Sequence, residues 1–572
     1  MKTFSPTSKI LLCGSALAML VIAAIHSIGS SPTAPDPAEA KKGNSDRTML
    51  GGTPARNMVN LIDKDVPDKF EPNGRSILWK AELGSRAYGG PTIAGGRVYV
   101  GTNNDSPVTR NPRDTLKNKN GEIEPIDRGI LLCLDEKTGK FLWQAVHPKL
   151  PAGQVQDWPK EGVCSTPCVE GDRVYYVSNQ CTVVCADANG QNGKMPAGIE
   201  RKAFGDPTDA RFIWEFDMMK ELNVFPHNMS GCSPLIVGNI VFVVTSNGVD
   251  EGHINIPSPE APSFIALDKL SGKLIWKSNA PGKDIMHSQW SNPTYAEIDG
   301  VRQVIFPGGD GWLRGFVPET GEELWKFECN TKDADNNNGG TGTRSDFIGT
   351  PVVYDNKVYI GTGQDPEHTT GMANFFCIAP TKKGDISKTI ISGRDKKGKP
   401  LNEKPNPNSC EVWRYGGTEN GKWAQFDFKF GRTMSTAAIV DNSVYIAELA
   451  GRLHCLNART GVHYWQYDTK ASIWGSPYYV DGKVFLANDQ GELFTFKHEK
   501  SPQVLDELKA VQNAKDAKEA RKLRLEHRKQ VADKYLLSKA EFDAPIRSTP
   551  VVANGVLYVM TEKTLYAIKC ER

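Results

Sequence analysis

At 572 residues the chain could hold several domains or one long repeat array, because single hydrophobic cores stop growing near about 250 to 300 residues. Its 69 basic and 67 acidic side chains leave a net charge of +2. That balance lacks the one-sided basic surface that phosphate backbones select, so no nucleic-acid partner is expected. Fifty-four Gly and 36 Pro favour turns over long helices and point to an all-β chain.

The chain opens with Met1-Lys2, Lys9 and an apolar run from Ile10 to Ile25, followed by a stretch rich in Ser, Pro and Ala. This is the pattern of a Sec-type signal peptide over residues 1–30, and it implies export to the periplasm or another extracytoplasmic compartment. The run is short of the roughly 20 residues that span a bilayer, so no transmembrane segment is expected after cleavage. Cys13 follows Leu11-Leu12 where a lipoprotein signal wants a small residue, so no lipid anchor is expected. Residues 31–60 read as a leader and linker, and the folded part as 61–572.

From residue 90 onward one unit recurs: a small residue and Pro, alternating apolar residues, a tight turn, an aromatic-rich strand, and a third strand. It starts at Gly90-Pro91, Thr166-Pro167, Ser233-Pro234, Asn292-Pro293, Thr350-Pro351, Thr436-Ala437, Ser476-Pro477 and Thr549-Pro550, which makes eight. Four units add a Thr-Gly or Ser-Gly turn with Trp four residues after the Gly, as in Thr138-Gly139-Lys140-Phe141-Leu142-Trp143. Sheets with two apolar faces are covered only when they close into a ring, so the fold class is an eight-bladed β-propeller with tryptophan docking. The last unit lacks a fourth strand, whereas Ile77-Leu78-Trp79-Lys80 is a fourth strand without an owner. The N-terminal strand therefore closes the last blade. Alignment of Leu536–Phe542 with Ile77–Leu83 puts Ser538 at the tryptophan position of blade 7. It also makes residues 503–535, which lack Gly and Pro, a helical insertion with a solvated basic face.

Twelve cysteines would suggest disulfides in an exported protein. Register instead places Cys133, Cys185, Cys377 and Cys455 at one third-strand position that other blades give to Ala266, Gly315, Thr495 and Ala567, so these thiols are read as core. A Cys164 to Cys181 disulfide fits their places on one edge of blade 2, and zinc at the Cys-x₃-Cys pairs is not expected. Asp333–Gly339 resembles the start of a calcium loop but lacks the required Gly and the closing Glu.

The unit Pro-Val-Val-x-x-x-x-Val-Tyr-Ile with Leu-x-x-Leu-Asp and Thr-Gly-x-x-x-Trp resembles the repeat of the pyrroloquinoline quinone (PQQ)-like, or quinoprotein alcohol dehydrogenase-like, propellers. That family includes the propeller subunit of the outer-membrane β-barrel assembly machinery. The resemblance implies two functions: a non-catalytic binding or assembly scaffold of the periplasm or cell envelope with a protein or peptide partner, or a PQQ- and calcium-dependent alcohol or sugar dehydrogenase. The chain has no Cys-Cys pair and no Cys-x-x-Cys-His haem motif, departures that favour the scaffold. Under either reading, a ligand or small polar cofactor would meet the loops and linkers gathered round the axis on one face. The candidate binding residues there are Asn103, Asn104, Asn247, Asp250, Trp290, Asp310, Arg344, Gln364, Asp365, Arg432, Glu448, Trp474, Asn488, Asp489 and Arg547. No catalytic residue or metal ligand is assigned from the sequence.

Overall fold

The structure is a computed structural model that describes residues 45–572 except 193–207, 333, 336–341, 369, 397–398, 418–428, 506–510, 512–513 and 571–572. The signal-like segment lies outside the described residues, as does most of the calcium-like loop. Residues from Ser45 onward form one compact unit. Eight sheets of four or five strands each place a short strand innermost, in the order first, second, third, fourth from the axis outward, and this is the expected propeller. Blade 1 comprises Thr92–Ala94, Arg97–Asn103, Arg128–Asp135 and Phe141–Pro148. In blade 8 the outer strand is Ile77–Glu82, antiparallel to Thr564–Lys569 with Trp79 opposite Ala567, so the chain ends are clasped as the repeat required.

The register explains the cysteines. Opposite each fourth-strand tryptophan stands a small third-strand residue, for example Cys133 opposite Trp143, Ala266 opposite Trp276 and Gly315 opposite Trp325. Ser538 faces Thr495 at the same place in blade 7. A β-bulge follows directly, which tilts the indole toward the next blade. There five of the seven indoles donate to a turn carbonyl, among them Trp79 Nε1 to Glu136 at 2.9 Å, Trp143 to Ala188 at 3.1 Å and Trp276 to Pro318 at 2.8 Å, whereas Trp325 donates to Gln303 Oε1. The Thr-Gly glycine lies flat beneath the ring. A Cβ at Gly139 would come 2.4 Å from Trp79, and at Gly321 2.6 Å from Trp276, so only glycine permits the contact. Blade 7 has no such glycine. Of its insertion, Ala517–Tyr535 is helical, capped by the Asp516 carboxylate accepting from Glu519 N. The helix ends on Tyr535, which stacks on Trp465 with centroids 4.8 Å apart and thereby takes the glycine's place.

Cys164 and Cys181 are not bridged. Both are buried free thiols, with Cys164 Sγ 3.6 Å from the Glu161 carbonyl and Cys181 Sγ 3.4 Å from the Thr245 carbonyl in the neighbouring blade. Sharing a blade edge did not bring their sulfurs to face each other, because each side chain fills a different inter-blade contact.

Two belts hold the blades around the axis. In the first, the small residue before each motif proline accepts from its predecessor: Gly90 N to Thr166 Oγ1 at 2.9 Å, Thr350 N to Thr436 Oγ1 at 3.0 Å, Thr436 N to Ser476 Oγ at 2.9 Å, Ser476 N to Thr549 Oγ1 at 2.9 Å. Gly90, with no side chain, interrupts the belt between blades 8 and 1. The second belt is residues 45–60, part of the stretch assigned to the leader, which visit the inner strands in turn. Ser45 meets Asn554, Arg47 bridges Ile93, Thr48 O accepts from Val169, Ala55 O from Val353, and Val59 pairs with Tyr479 in parallel. Arg56 is wholly buried and donates to the carbonyls of Leu50, Ser233, Pro234 and Pro293, with distances between 2.9 and 3.1 Å. Burial holds its guanidinium down at about 10, still charged at neutral pH.

Candidate functional site

The second-to-third-strand loops and the linkers that enter each inner strand share one face of the ring. They carry every residue singled out from the sequence, yet the structure disperses most of them into local bonds. Asn103 accepts from Ser85 N at 2.9 Å and donates to the Lys160 carbonyl. Asn104 spans its own loop between Ile126 O and Arg128 N, and Asn247 joins Ser258 O to Phe225 N, all at 2.7 to 2.9 Å. Asp250 accepts the amides of Ile254 and Asn255 in a turn, which lowers its pKa. Asp310 grips Arg314 through two bonds, and Arg344 ties Glu328 to the Asp310 carbonyl, while Gln364 donates to Arg344 O at 2.6 Å. Glu448, fully buried, is held by His454 at 2.6 Å, and Asn488 pairs with Glu492 at 2.8 Å.

On the blade 7 to blade 1 side, Arg547 binds Asp489 at 2.8 Å and Glu562 at 2.6 Å. Its guanidinium lies 4.4 Å above the Trp474 ring, whose neighbour is Tyr88 with centroids 5.8 Å apart. The aromatic face that could have stacked on a flat quinone is thus taken by an arginine and a tyrosine. A PQQ site with calcium would need Glu, Asn and Asp oxygens converging above an open indole. Here those groups are committed singly to loop amides or to Arg and His partners, so the described residues do not fit that group.

What the fold does bring together is a set of histidines that sequence reasoning passed over. Four of the ten meet between blades 3 and 5: His227 and His287 from the linkers entering the inner strands of blades 3 and 4, His253 from the loop of blade 3, and His368 from the loop of blade 5. His253 Nε2 stands 3.2 Å from His227 Nε2 and 2.9 Å from His287 Nε2. His227 Nδ1 donates to Val249 O at 2.9 Å. Asp365 places Oδ2 3.6 Å from His287 Nδ1 and Oδ1 2.5 Å from His368 Nδ1. Both triplets, His227 with His253 and His287, and His287 with Asp365 and His368, lie close enough to share an ion. Of the sequence candidates, Trp290 and Asp365 belong to this cluster. Trp290 stands edge-on to His287 at 5.0 Å and donates to Met229 O. Arg432 supports it indirectly, donating to the carbonyls of His368 and Gly342.

Burial dominates the electrostatics. It depresses His227 to about 4 and His287 well below its ordinary value, with the neighbouring imidazoles adding to the effect, so both rings are neutral at physiological pH. The fully buried Asp346 is pushed well up by desolvation and by Asp365. Gly248 packs against the cluster. A Cβ there would stand 2.7 Å from His227 Cβ and from the His287 carbonyl. The signal that could have found these residues was present, because repeat register puts all four histidines on the loop and linker face. Beside blade 4, a separate charged cleft of about 740 Å³ is lined by Trp312, Glu328, Lys332, Arg344 and Arg394.

A family profile described as outer membrane protein assembly factor BamB matches residues 198–396 and 406–504, just over half of the chain. A quinoprotein ethanol dehydrogenase of Pseudomonas putida is 29% identical over 103 residues, which is 17% of this chain and 13% of that protein. The chain thus spans about an eighth of that curated relative. Among solved structures, a europium-containing methanol dehydrogenase superposes with a TM-score of 0.51 at 12% identity, over 92% of this chain and 90% of that one. BamB from Moraxella catarrhalis is 15% identical over 77% of this chain and 91% of its own, with a TM-score of 0.44. At 12% identity the methanol dehydrogenase superposition speaks for the fold alone.

Proposed function

Because this chain belongs to the family described as outer membrane protein assembly factor BamB, we propose that it is a non-catalytic binding or assembly scaffold of the cell envelope. The reading includes export by the N-terminal segment and a protein partner received on the loop face. The observation that carries it is the commitment of the loop-face carboxylates, amides and guanidinia to one another, as in Arg547 with Asp489 and Glu562, or Glu448 with His454. A face whose charged groups are spent largely on one another suits recognition of a surface more than catalysis on a small molecule. It also projects a two-stranded hairpin, Thr115–Lys117 with Ile123–Pro125, whose Leu116 and Ile123 are 46% and 61% exposed. No described helix is long and apolar enough to cross a membrane.

Photo-cross-linkers placed at Leu116 and Ile123 in cells, with Val301 on the opposite face as control, test the proposal. A discrete adduct from the hairpin and none from Val301 is expected. Calorimetric titration with PQQ and Ca²⁺ should give no saturable heat, and calcium-dependent micromolar binding would replace the scaffold by the dehydrogenase reading.

A further inference from the structure

The histidine cluster is built as a ligand set, and the argument rests on counting protons. His227 Nδ1 donates to the Val249 carbonyl, so its proton is on Nδ1 and its Nε2 carries a bare lone pair. The Asp365 carboxylate faces Nδ1 of His287, which favours the proton there and leaves the Nε2 of His287 bare as well. His253 Nε2 lies between these two lone pairs, at 3.2 and 2.9 Å. It has at most one hydrogen to offer, so one contact must remain lone pair against lone pair. Among the described residues nothing satisfies all three nitrogens. A cation at their common point does.

The spacing agrees. Nitrogens at about 2.0 to 2.1 Å from a tetrahedral zinc lie about 3.3 Å from one another, within a few tenths of an ångström of the two distances seen. The supporting groups agree too. Metal-bound imidazoles hand their second N–H to a carbonyl or a carboxylate, and here Val249 O and Asp365 occupy those places behind His227 and His287. Both orienting groups are anchored. Val249 N donates to the His287 carbonyl at 2.9 Å, Gly248 allows the loop to lie directly on both histidines, and Asp365 is further fixed by His368. His253 is only half-buried, so the cluster can be reached from solvent.

We propose that His227, His253 and His287 bind one divalent transition ion of the zinc class through their Nε2 atoms, with Asp365 as a positioning residue. Three neutral nitrogen donors select borderline ions such as Zn²⁺, Co²⁺, Ni²⁺ or Cu²⁺ over Ca²⁺ and Mg²⁺, which require oxygen ligands. Three protein ligands also leave a further coordination position, on the His253 side, for water or a group from a partner. This inference is independent of the scaffold reading, since it requires neither a protein partner nor export.

The test uses the purified full chain, stripped with a chelator and titrated with Co²⁺. One equivalent should bind and produce the visible absorption of low-coordinate cobalt, lost on adding one equivalent of Zn²⁺ and unaffected by a hundredfold excess of Ca²⁺. Affinity should fall at least about 100-fold in His253→Ala. In Asp365→Asn it should fall about 10- to 100-fold with the stoichiometry retained, as expected for an outer-shell partner. His253 is the primary variant because its half-burial makes loss of fold avoidable, and circular dichroism checks that the fold is kept. His498→Ala, far from the cluster, should bind normally. Folded wild-type protein that takes up no cobalt, or cobalt binding undiminished in His253→Ala, overturns the assignment.

Discussion

Gly139→Ala puts the tryptophan-docking argument at risk in a single methyl group. Gly139 has φ +67° and lies under Trp79, the closing indole of blade 8, so the new Cβ would stand 2.4 Å from Trp79 Cε3 and 2.6 Å from Cδ2. An alanine in the left-handed region costs about 1 to 2 kcal/mol. Forcing the ring away from a packed contact adds about 1 to 3 kcal/mol. The expected destabilisation is therefore about 2 to 5 kcal/mol. Gly482→Ala supplies the comparison, because Gly482 has nearly the same φ, +72°, with nothing within 4 Å of its Cβ position, so only the backbone cost applies. Urea unfolding followed by tryptophan fluorescence measures both. Gly139→Ala should lose more than Gly482→Ala by about 1 to 3 kcal/mol, and the excess should shrink when Trp79→Leu is added. Equal losses in the two variants would refute the docking explanation and leave the glycine as a turn residue only.

The inter-blade belt predicts opposite outcomes at two positions. Ser476→Ala strands the amide of Thr436, now 2.9 Å from Ser476 Oγ, and should cost about 1 to 3 kcal/mol in urea unfolding. Gly90→Ser should supply the missing hydroxyl. A Cβ there meets nothing closer than 3.8 Å, so a gain of about 0.5 to 1.5 kcal/mol is expected, and an unchanged midpoint would deny the belt its role. His147 is buried against Phe212 and Tyr176 and is depressed to about 4 by desolvation. Its folded pKa lies below its unfolded value near 6.5, so the unfolded chain binds the extra proton, and stability present above about pH 6.5 falls as pH drops toward 4. The loss reaches about 3 kcal/mol. In His147→Gln, stability measured between pH 7 and 4 should fall by about one proton less steeply. Arg56→Met removes the charged donor from four carbonyls in the axial belt and should destabilise by at least about 2 kcal/mol, measured by the same unfolding assay.

The repeat alone determined the eight blades, the clasp by Ile77–Glu82, the small residue opposite each tryptophan and Ser538 in the tryptophan's place, because each of these is a matter of register, and register is periodic in sequence. The site was legible only as a face. Repeat register puts Asn103, Asn247 and Glu448 in second-to-third-strand loops, on one face of the ring. However, whether a polar side chain points into a funnel or bonds its own loop depends on the loop's path, which no periodicity encodes. The bonding of residues 45–60 to successive inner strands was equally hidden, since a segment whose backbone amides and carbonyls bond to strands far away in sequence carries no local signature. The histidines make the same point most sharply. His227, His253, His287 and His368 span more than a hundred residues, and only the packing of neighbouring blades turns them toward one another. Sequence fixes the elements that repeat. The meeting of residues from different blades is decided by tertiary structure, because it depends on where non-repeating loops come to rest.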